Sequence, residues 1–168
     1  MKIRNVKLSD IKALAVIHYE CWMKTYSGIL PEKYLQSLTL ASFEKRWTSG
    51  MAVNDDVIRL VSLENSQPIG FIVGLENRFP EKCPEADGEI WALYVDPDHW
   101  AKGHGKKLFE EFKKRLKRKN ILVWVLAANT RGRKFYEAMG GKLQPATHDF
   151  VVNEEKFPEV AYLFTGEV

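Results

Sequence analysis

Two glycines set two residues apart, Gly103 and Gly105, stand between an apolar run and a lysine-rich segment in the stretch HWAKGHGKKL. A glycine loop that opens a helix leaves backbone N–H groups unpaired at the positive end of the helix dipole, where they bind anions such as phosphate. Because glycine has no side chain, a ligand can also approach the backbone closely. The spacing indicates a phosphate-binding loop, and a flexible turn before a solvated helix is the competing interpretation.

Two well-known phosphate motifs do not match this loop. A P-loop has a glycine five residues before its Gly-Lys pair and a Ser or Thr directly after the lysine. This chain has Trp100 at the first of these positions and Lys107 at the second. A dinucleotide fingerprint has a third glycine three residues after Gly105, where this chain has Leu108. The sequence therefore disfavours a nucleoside triphosphatase and a dinucleotide-binding enzyme.

Asn129 and Tyr136 form a second candidate group, within the stretch ILVWVLAANTRGRKFYEAMGGK. Seven residues correspond to about two turns of helix, so both side chains project to a similar side and can face one cleft. Asn129 is equally suited to capping its helix, and Tyr136 is equally suited to a core position with its hydroxyl near water. From the residues alone, both interpretations stay open.

The elements that must position these residues form a mixed pattern. Hydrophobic periodicity predicts strands over 1–6, 57–63, 69–76, 89–95, 121–127, 142–152 and 160–166, and helices from residue 11 and over 32–38, 42–50, 104–119 and 129–139. The strands 57–63 and 69–76 are typical of a hairpin. The strands 89–95 and 121–127 are expected to be parallel, because a helix crosses between them. This order of elements predicts an α/β (α+β) fold with a mixed sheet.

Length and composition predict one globular domain spanning residues 1–168. The chain is 45% hydrophobic and 28% charged, as in ordinary globular proteins. Its two cysteines, Cys21 and Cys83, are too far apart for a CxxC metal or redox pair. No stretch resembles a signal peptide or approaches the roughly 18 apolar residues of a membrane span. We therefore expect a cytoplasmic protein with reduced thiols and no membrane association.

The positive charge is concentrated in one segment. Residues 102–119 contain nine Lys or Arg against two Glu, whereas the whole chain has a net charge of only +3. One interpretation is a non-enzymatic module that binds nucleic acid or another anion through the basic helix 104–119. No aromatic residues interleave the exposed face of that helix, so we expect a solvated helix that partly serves a phosphate ligand and no nucleic-acid partner.

The two motifs together resemble those of the GNAT superfamily of acyl-CoA N-acyltransferases. The acetyl-CoA loop of that family has the pattern Arg/Gln-x-x-Gly-x-Gly/Ala after a strand, and Gly103 and Gly105 match it. Trp100 stands where Arg or Gln is usual, and His104 where Ile or Val is commoner. The later family motif ends in a helix whose matching residues here are Asn129, Phe135, Tyr136 and Gly140. The resemblance covers nearly the whole chain and is weakest before residue 57.

The resemblance implies a fold with two splayed parallel strands flanked by helices, and direct attack of a primary amine on acetyl-CoA with no metal. It assigns Tyr136 as the general acid for the thiolate and Glu89 as the base, acting through water. Tyr94 and His18 are candidate relays for Glu89, with a core position as the alternative for His18. It assigns the oxyanion to a backbone N–H between Leu93 and Val95. The residues it implies for acetyl-CoA binding are Leu93, Tyr94, Val95, Lys102, Gly103, His104, Gly105, Lys106, Asn129 and Tyr136.

The acceptor is implied less sharply. The segment CWMKTYSGILPEKYL is similar to one in small-molecule GNAT enzymes, including polyamine-type acetyltransferases, where this region walls the acceptor site. Trp22 and Tyr26 lie four residues apart on one helical face, so they are the predicted substrate residues, with core packing as the alternative. The resemblance implies a small-molecule amine acceptor. It leaves the oligomeric state open, a homodimer included.

Overall fold

The computed structural model describes residues 1–53, 56–117 and 120–166. The helices are α1 (Ile11–Tyr26), α2 (Glu32–Ser37), α3 (Leu40–Val53), α4 (His104–Leu116) and α5 (Thr130–Ala138). The strands are β1 (Lys2–Asn5), β2 (Ile58–Glu64), β3 (Gln67–Leu75), β4 (Gly88–Val95), β5 (Asn120–Leu126), β6 (Lys142–Val152) and β7 (Glu155–Thr165). They form a mixed sheet in the order β1-β2-β3-β4-β5-β7-β6, which confirms the predicted α/β class. Within the described residues, no helix is long and apolar enough to cross a membrane.

The chain divides into two compact units. The first contains Met1–Gly74 and Ala92–Arg115, and the second contains Leu75–Trp91 and Leu116–Val168. Strand β4 therefore gives its first residues to the second unit and its last residues to the first. The loop before α4 belongs to the first unit, and helix α5 belongs to the second.

An antiparallel hairpin forms the centre of the first unit. Strands β2 and β3 pair from Ile58 opposite Gly74 to Glu64 opposite Gln67, and β1 pairs with the outer side of β2. The turn residues Asn65 and Ser66 both have positive φ, 48° and 67°. Such two-residue turns match the right-handed twist of paired strands. The predicted hairpin is confirmed, and β1 is an edge strand as predicted.

Helices α1 and α3 cover this hairpin with an apolar cluster. Its fully or almost fully buried members include Leu14, Ala15 and Cys21 of α1, Phe43 and Trp47 of α3, and Val61 and Phe71 of the strands. The prediction that the α3 helix ends near Gly50 was wrong, because it continues to Val53. Gly50 thus lies in the last turn of the helix, and its carbonyl accepts a hydrogen bond from the Arg59 side chain at 2.5 Å.

Helix α4 buries one side only, as its sequence predicts. Leu108, Phe109 and Phe112 are at most 2% exposed, and Lys106, Lys107 and Lys114 lie on the exposed side. The helix ends at Leu116, three residues before the predicted end. Lys117 has a φ of 52°, a left-handed conformation that stops the helix. Residues 118 and 119 of the predicted helix lie outside the described residues.

The second unit contains a parallel and an antiparallel pairing. Gly88, Glu89 and Ile90 of β4 pair in parallel with Ile121, Leu122 and Val123 of β5. Strand β7 pairs antiparallel with all of β5 through its residues 159–165, and it also pairs with β6. The parallel relation of the two strands that flank α4 was predicted from the crossover helix, and the pairing confirms it.

The hairpin of β6 and β7 turns at Asn153 and Glu154, which have φ of 47° and 70°. Strand β7 begins at Glu155, so the prediction of a strand over 160–166 after a long turn was wrong in its boundary. The sequence NEEKFPE has the polar composition of a loop, but pairing with β6 holds it extended. As a result, Glu159 lies within the sheet, opposite His148.

The register assigns side chains in the second unit to the two faces of its sheet. Directly opposed residues share a face. Leu126 and His148 are both opposite Glu159, and Trp124 is opposite Ala161, so these side chains share one face. Tyr162 projects from the other face, where its hydroxyl donates to Glu137 of α5 at 2.6 Å. Glu159 and α5 therefore lie on opposite faces.

Candidate functional site

The loop that precedes α4 in the first unit is held by backbone and side-chain hydrogen bonds. The Asp96 N–H donates to the Ile69 carbonyl at 2.8 Å, and the Asp96 carboxylate accepts from the Asp98 N–H at 3.0 Å. A single 3-10 turn follows at Pro97–His99. Gly103 then takes a φ of +85°, a conformation that favours glycine, and α4 begins at the next residue. These hydrogen bonds and the Gly103 conformation define the path of the loop into α4.

The start of α4 offers backbone N–H groups to a ligand. The first helical bond runs from the Lys107 N–H to the Gly103 carbonyl at 3.1 Å. The N–H groups of His104, Gly105 and Lys106 precede that bond and have no carbonyl partner within the helix. A side chain added at Gly103 would meet no atom within 4 Å, so the space beside it is open. This arrangement is suited to an anion.

Trp100, which departs from the family pattern, anchors the end of β4. Its indole N–H donates to the Val95 carbonyl at 2.7 Å. The Cys21 thiol donates to the same carbonyl at 3.1 Å, and the Lys24 ammonium lies 5.4 Å from the centre of the Trp100 ring. The side chain at this position thus ties α1, β4 and the loop together within the first unit.

His104 turns its side chain into the first unit. The residue is only 1% exposed, and its Nδ1 lies 2.8 Å from the Ser62 hydroxyl. Its Nε2 lies 3.7 Å from the carboxylate of Glu64. Burial lowers the pKa of His104, although Glu64 acts in the opposite direction. A role of His104 in binding an anion therefore depends on its backbone N–H.

The two predicted substrate residues contact each other and β4. The rings of Trp22 and Tyr26 are 4.9 Å apart in an edge-on arrangement, and the Tyr26 hydroxyl lies 2.9 Å from that of Tyr94. His18 is enclosed by rings, with Phe43 at 4.8 Å and Tyr94 at 4.9 Å. Burial lowers the pKa of His18 to about 3, so it stays neutral near pH 7. The structure brings Tyr26 and Tyr94 together and gives His18 the character of a core residue.

Asn129 and Tyr136 lie on α5 in the second unit. The Asn129 side-chain oxygen accepts from the Gly132 N–H at 2.9 Å, which is an N-cap bond. A side chain at residue 132 would lie 2.8 Å from the Asn129 amide nitrogen, so the cap explains why glycine stands there. Tyr136 is 6% exposed and packs against the rings of Tyr162 and Phe164. In the structure, Asn129 caps its helix and Tyr136 packs in the core, as one of the two interpretations of each residue predicted.

Glu89, the predicted base, is fully buried in a pair with Arg78. Its Oε2 accepts from the Arg78 backbone N–H at 2.7 Å. Its Oε1 accepts from Arg78 Nε at 2.9 Å and also from the terminal guanidinium nitrogen. Both oxygens are thus engaged by one residue, so proton transfer to Glu89 competes with these bonds.

Sequence reasoning missed a third group in the second unit, which we call the β6–β7 cluster: Lys82, His148 and Glu159. The Lys82 ammonium lies 2.9 Å from His148 Nδ1, and His148 Nε2 lies 4.0 Å from a Glu159 oxygen. Burial raises the pKa of Glu159 to about 7. The signal for this group was the two-residue turn at Asn153–Glu154, which places residue 148 opposite residue 159 once the hairpin register is known.

Comparisons with known proteins agree with this fold. The model of the acetyltransferase (GNAT) family matches residues 17–141. Spermidine N(1)-acetyltransferase of Thermoplasma acidophilum is 29% identical over 164 residues, 94% of this chain and 98% of that protein. An uncharacterized N-acetyltransferase of Bacillus subtilis is 30% identical over 136 residues, 76% of this chain and 72% of that one.

Solved structures give the same result. The PaiA N-acetyltransferase of Thermoplasma acidophilum in complex with coenzyme A has a TM-score of 0.68 at 23% identity, covering 94% of this chain and 96% of that one. An acetyltransferase of Salmonella typhimurium with acetyl-CoA has a TM-score of 0.71 at 16% identity, covering 99% and 94%. The protein is an N-acetyltransferase, and its chain belongs to the GNAT family of acetyltransferases.

Proposed function

We propose that this N-acetyltransferase transfers the acetyl group of acetyl-CoA to a primary amine of a small molecule. The observation that carries the donor assignment is the start of α4, where N–H groups with no partner within the helix follow a glycine in the left-handed conformation. Coenzyme A or acetyl-CoA is bound in two of the similar solved structures, which supports the same donor here. A relative that acts on spermidine and matches 94% of the chain supports an amine acceptor.

The residues at the start of α4 fit the pyrophosphate of acetyl-CoA. The N–H groups of His104, Gly105 and Lys106 are free of helical partners, and the positive end of the helix dipole favours an anion there. Lys102 and Lys106 are exposed and add positive charge. Lys106 has Glu110 at 3.9 Å on the same helix, an exposed pair that leaves its charge accessible. We assign the pyrophosphate of acetyl-CoA to the backbone of this loop and not to the side chain of Trp100.

Direct transfer makes three demands on the protein, because acetyl-CoA supplies an acetyl thioester. The carbonyl oxygen gains negative charge, for which we propose a backbone N–H of Leu93, Tyr94 or Val95. The departing sulfur needs a proton, for which we propose the hydroxyl of Tyr136. The amine must lose a proton, and Glu89 is the base that the family resemblance implies. Asn129 completes the proposed donor-binding residues while also capping α5.

The acceptor is proposed from the first unit and from the relative. The Trp22 ring lies against that of Tyr26, whose hydroxyl is 2.9 Å from that of Tyr94, and aromatic faces attract ammonium groups. A polyamine such as spermidine carries several such groups. We propose a small aliphatic amine as the substrate class and keep Trp22 and Tyr26 as its predicted contacts.

Four further assignments are part of the proposal. Both units belong to one catalytic domain, which is supported by a family match that spans residues of each. The enzyme is cytoplasmic, it needs no metal, and it has no nucleic-acid partner because its lysine-rich helix α4 serves the donor phosphates. A homodimer stays a prediction.

A matched pair of glycines tests the donor site. Gly103 and Gly140 have φ of +85° and +90°, and a side chain at either would meet no atom within 4 Å. Alanine at either position should cost about 1 kcal/mol of stability, because the left-handed conformation disfavours a side chain. Only Gly103→Ala should weaken acetyl-CoA binding, by roughly tenfold or about 1.4 kcal/mol, in calorimetry.

Two results would contradict the proposal. Wild-type acetyl-CoA affinity in Gly103→Ala, at equal loss of thermal stability in both variants, would exclude this loop as the pyrophosphate site. Absence of free coenzyme A release across a panel of primary amines, with spermidine included, would exclude the proposed reaction.

A further inference from the structure

Glu159 lies at the end of the sheet where β5 passes into α5. It is directly opposite Leu126, the last residue of β5, and the Ala127 N–H donates to the Pro158 carbonyl at 2.8 Å. Asn129 and Tyr136 follow on α5, which packs on the other face of this sheet. The Glu159 carboxylate therefore lies near the end of β5, the strand that leads into α5 and the proposed acid Tyr136. It lies on the opposite face of the sheet from α5.

The Glu159 carboxylate has no direct hydrogen-bond donor among residues 1–53, 56–117 and 120–166. Its ion-pair neighbour is His148, whose Nε2 lies 4.0 Å away, beyond hydrogen-bond distance. The side chain is 18% exposed, so solvent reaches it. Glu89, by contrast, is fully buried and accepts three bonds from Arg78. Of these two carboxylates, Glu159 is the one whose oxygens are available to a ligand.

The charged groups that act on the pKa of Glu159 are Arg78 and Lys82 in the segment before β4, and Glu89 on β4. His148 on β6 is a titratable neighbour. Burial raises the pKa of Glu159 to about 7, Glu89 acts in the same direction, and the two cations oppose it. A general base works best when its pKa lies near the working pH. The surroundings give Glu159 that property.

His148 is held beside Glu159 by aromatic rings. The ring of Phe79 lies 4.4 Å from that of His148, and the ring of Trp124 lies 5.8 Å from it. Because Nδ1 faces the Lys82 ammonium, which can only donate, the proton of the neutral ring is expected on Nε2, toward Glu159. Burial and the Lys82 charge lower the pKa of His148, which keeps the ring neutral. The buried indole N–H of Trp124 also has no partner within the described residues.

We propose that Glu159 is the group that accepts the proton of the acceptor ammonium, and that His148 is its positioning residue. This inference rests on the proposed function and replaces Glu89 in the role that the family resemblance implies. Glu89 then serves the structure by fixing the segment that contains Arg78, Phe79 and Lys82. The acceptor class is a primary amine that enters as an ammonium ion and is drawn to the Glu159 carboxylate.

The proton balance of the step is complete. The ammonium gives one proton to Glu159, and the lone pair that results forms the C–N bond to the thioester carbonyl. The C–S bond breaks, and the thiolate takes the proton of the Tyr136 hydroxyl. The second proton lost by the nitrogen restores Tyr136, and Glu159 releases its proton to water. The products are the N-acetyl amine, coenzyme A and one proton in solution.

The experiment compares Glu159→Gln with Glu155→Gln, an exposed residue of the same strand. We measure kcat/KM against pH with the best acceptor of an amine panel that includes spermidine. Wild type should gain activity as pH rises through about 7, the pKa of Glu159. Glu159→Gln should lack that rise and lose roughly 100-fold in activity at pH 7. Glu155→Gln should keep the wild-type profile, and both variants should bind acetyl-CoA as wild type does.

A second readout needs no substrate. Carboxyl NMR of the ligand-free enzyme should show Glu159 titrating near pH 7, and His148→Ala, which opens the site to water, should move that titration to lower pH. A Glu159 titration at its ordinary value, a wild-type pH profile in Glu159→Gln, or loss of the same rise only in Glu89→Gln would each overturn the assignment. Acetyl-CoA binding that fails in wild type would instead overturn the proposed function, so the two failures are distinguishable.

Discussion

His18 in the first unit and Glu159 in the second are both shifted by burial, but their surroundings differ. His18 is 9% exposed among aromatic rings, and burial lowers its pKa to about 3. Glu159 keeps part of its carboxylate in contact with solvent, and burial raises its pKa to about 7. Desolvation favours the neutral form in both cases, which lowers the pKa of a base and raises that of an acid. The difference shows that a shifted pKa becomes useful for proton transfer only where the titrating atoms stay accessible.

Glu89 completes the comparison as a buried carboxylate that is paired. Arg78 satisfies both of its oxygens, and the guanidinium itself is about half exposed. We therefore expect Glu89 to stabilise the fold and Glu159 to exchange protons.

The largest expected effect comes from removing the partner of Glu89. Arg78→Met should lower the free energy of unfolding by about 3 kcal/mol, because a buried carboxylate without its cation is costly. The value is at the low end for buried pairs since water reaches the half-exposed guanidinium side. Urea unfolding at pH 7 measures it, with Lys134→Met on the exposed side of α5 as the control. A loss no larger than that of the control would show that Glu89 is already solvated.

An intermediate effect is expected from His18 in acid. Its folded pKa lies below the unfolded value, so stability is full above about pH 6.5 and falls as pH drops toward 3. At pH 5 the loss should be about 2 kcal/mol relative to pH 8. His18→Phe should remove this loss, whereas Tyr19→Phe, on the same helix, should retain it. Thermal melting across this pH range tests it, and an equal acid loss in His18→Phe would refute the enclosed histidine.

A third effect, with the opposite sign, is expected from Glu159. Its folded pKa lies above the unfolded value, so its contribution to stability is full below about pH 4.5 and declines as pH rises to about 7. Glu159→Gln should therefore flatten the stability curve between pH 5 and 7, and Glu155→Gln should not. Melting curves of both variants measure this slope. Unchanged slopes in Glu159→Gln would mean that solvent screens the carboxylate fully, which would remove its contrast with His18.

Much of the fold was predictable because the elements are local. The hairpin of β2 and β3, the one-sided burial of α4 and the glycines after α5 follow from periodicity and turn chemistry. The ends of α3 and α4 were not, since α3 continues past Gly50 to Val53 and the left-handed conformation of Lys117 stops α4. The start of β7 was missed because pairing with β6 overrode the polar composition of residues 153–159.

The sequence by itself determined the family-type motifs, the mixed sheet and the open glycine at residue 103, because these depend on spacing along the chain and on backbone conformation. Tertiary structure alone decided the state of each ionizable side chain. Trp100 became an anchor for the Val95 carbonyl, and Glu89 became a paired buried group. Glu159 became an accessible carboxylate with no direct hydrogen-bond donor in the part of the chain that the structure describes. The reason is that solvation and hydrogen-bond partners come from residues distant in sequence, so the pKa values and accessibility that catalysis needs are set only when the strands are paired.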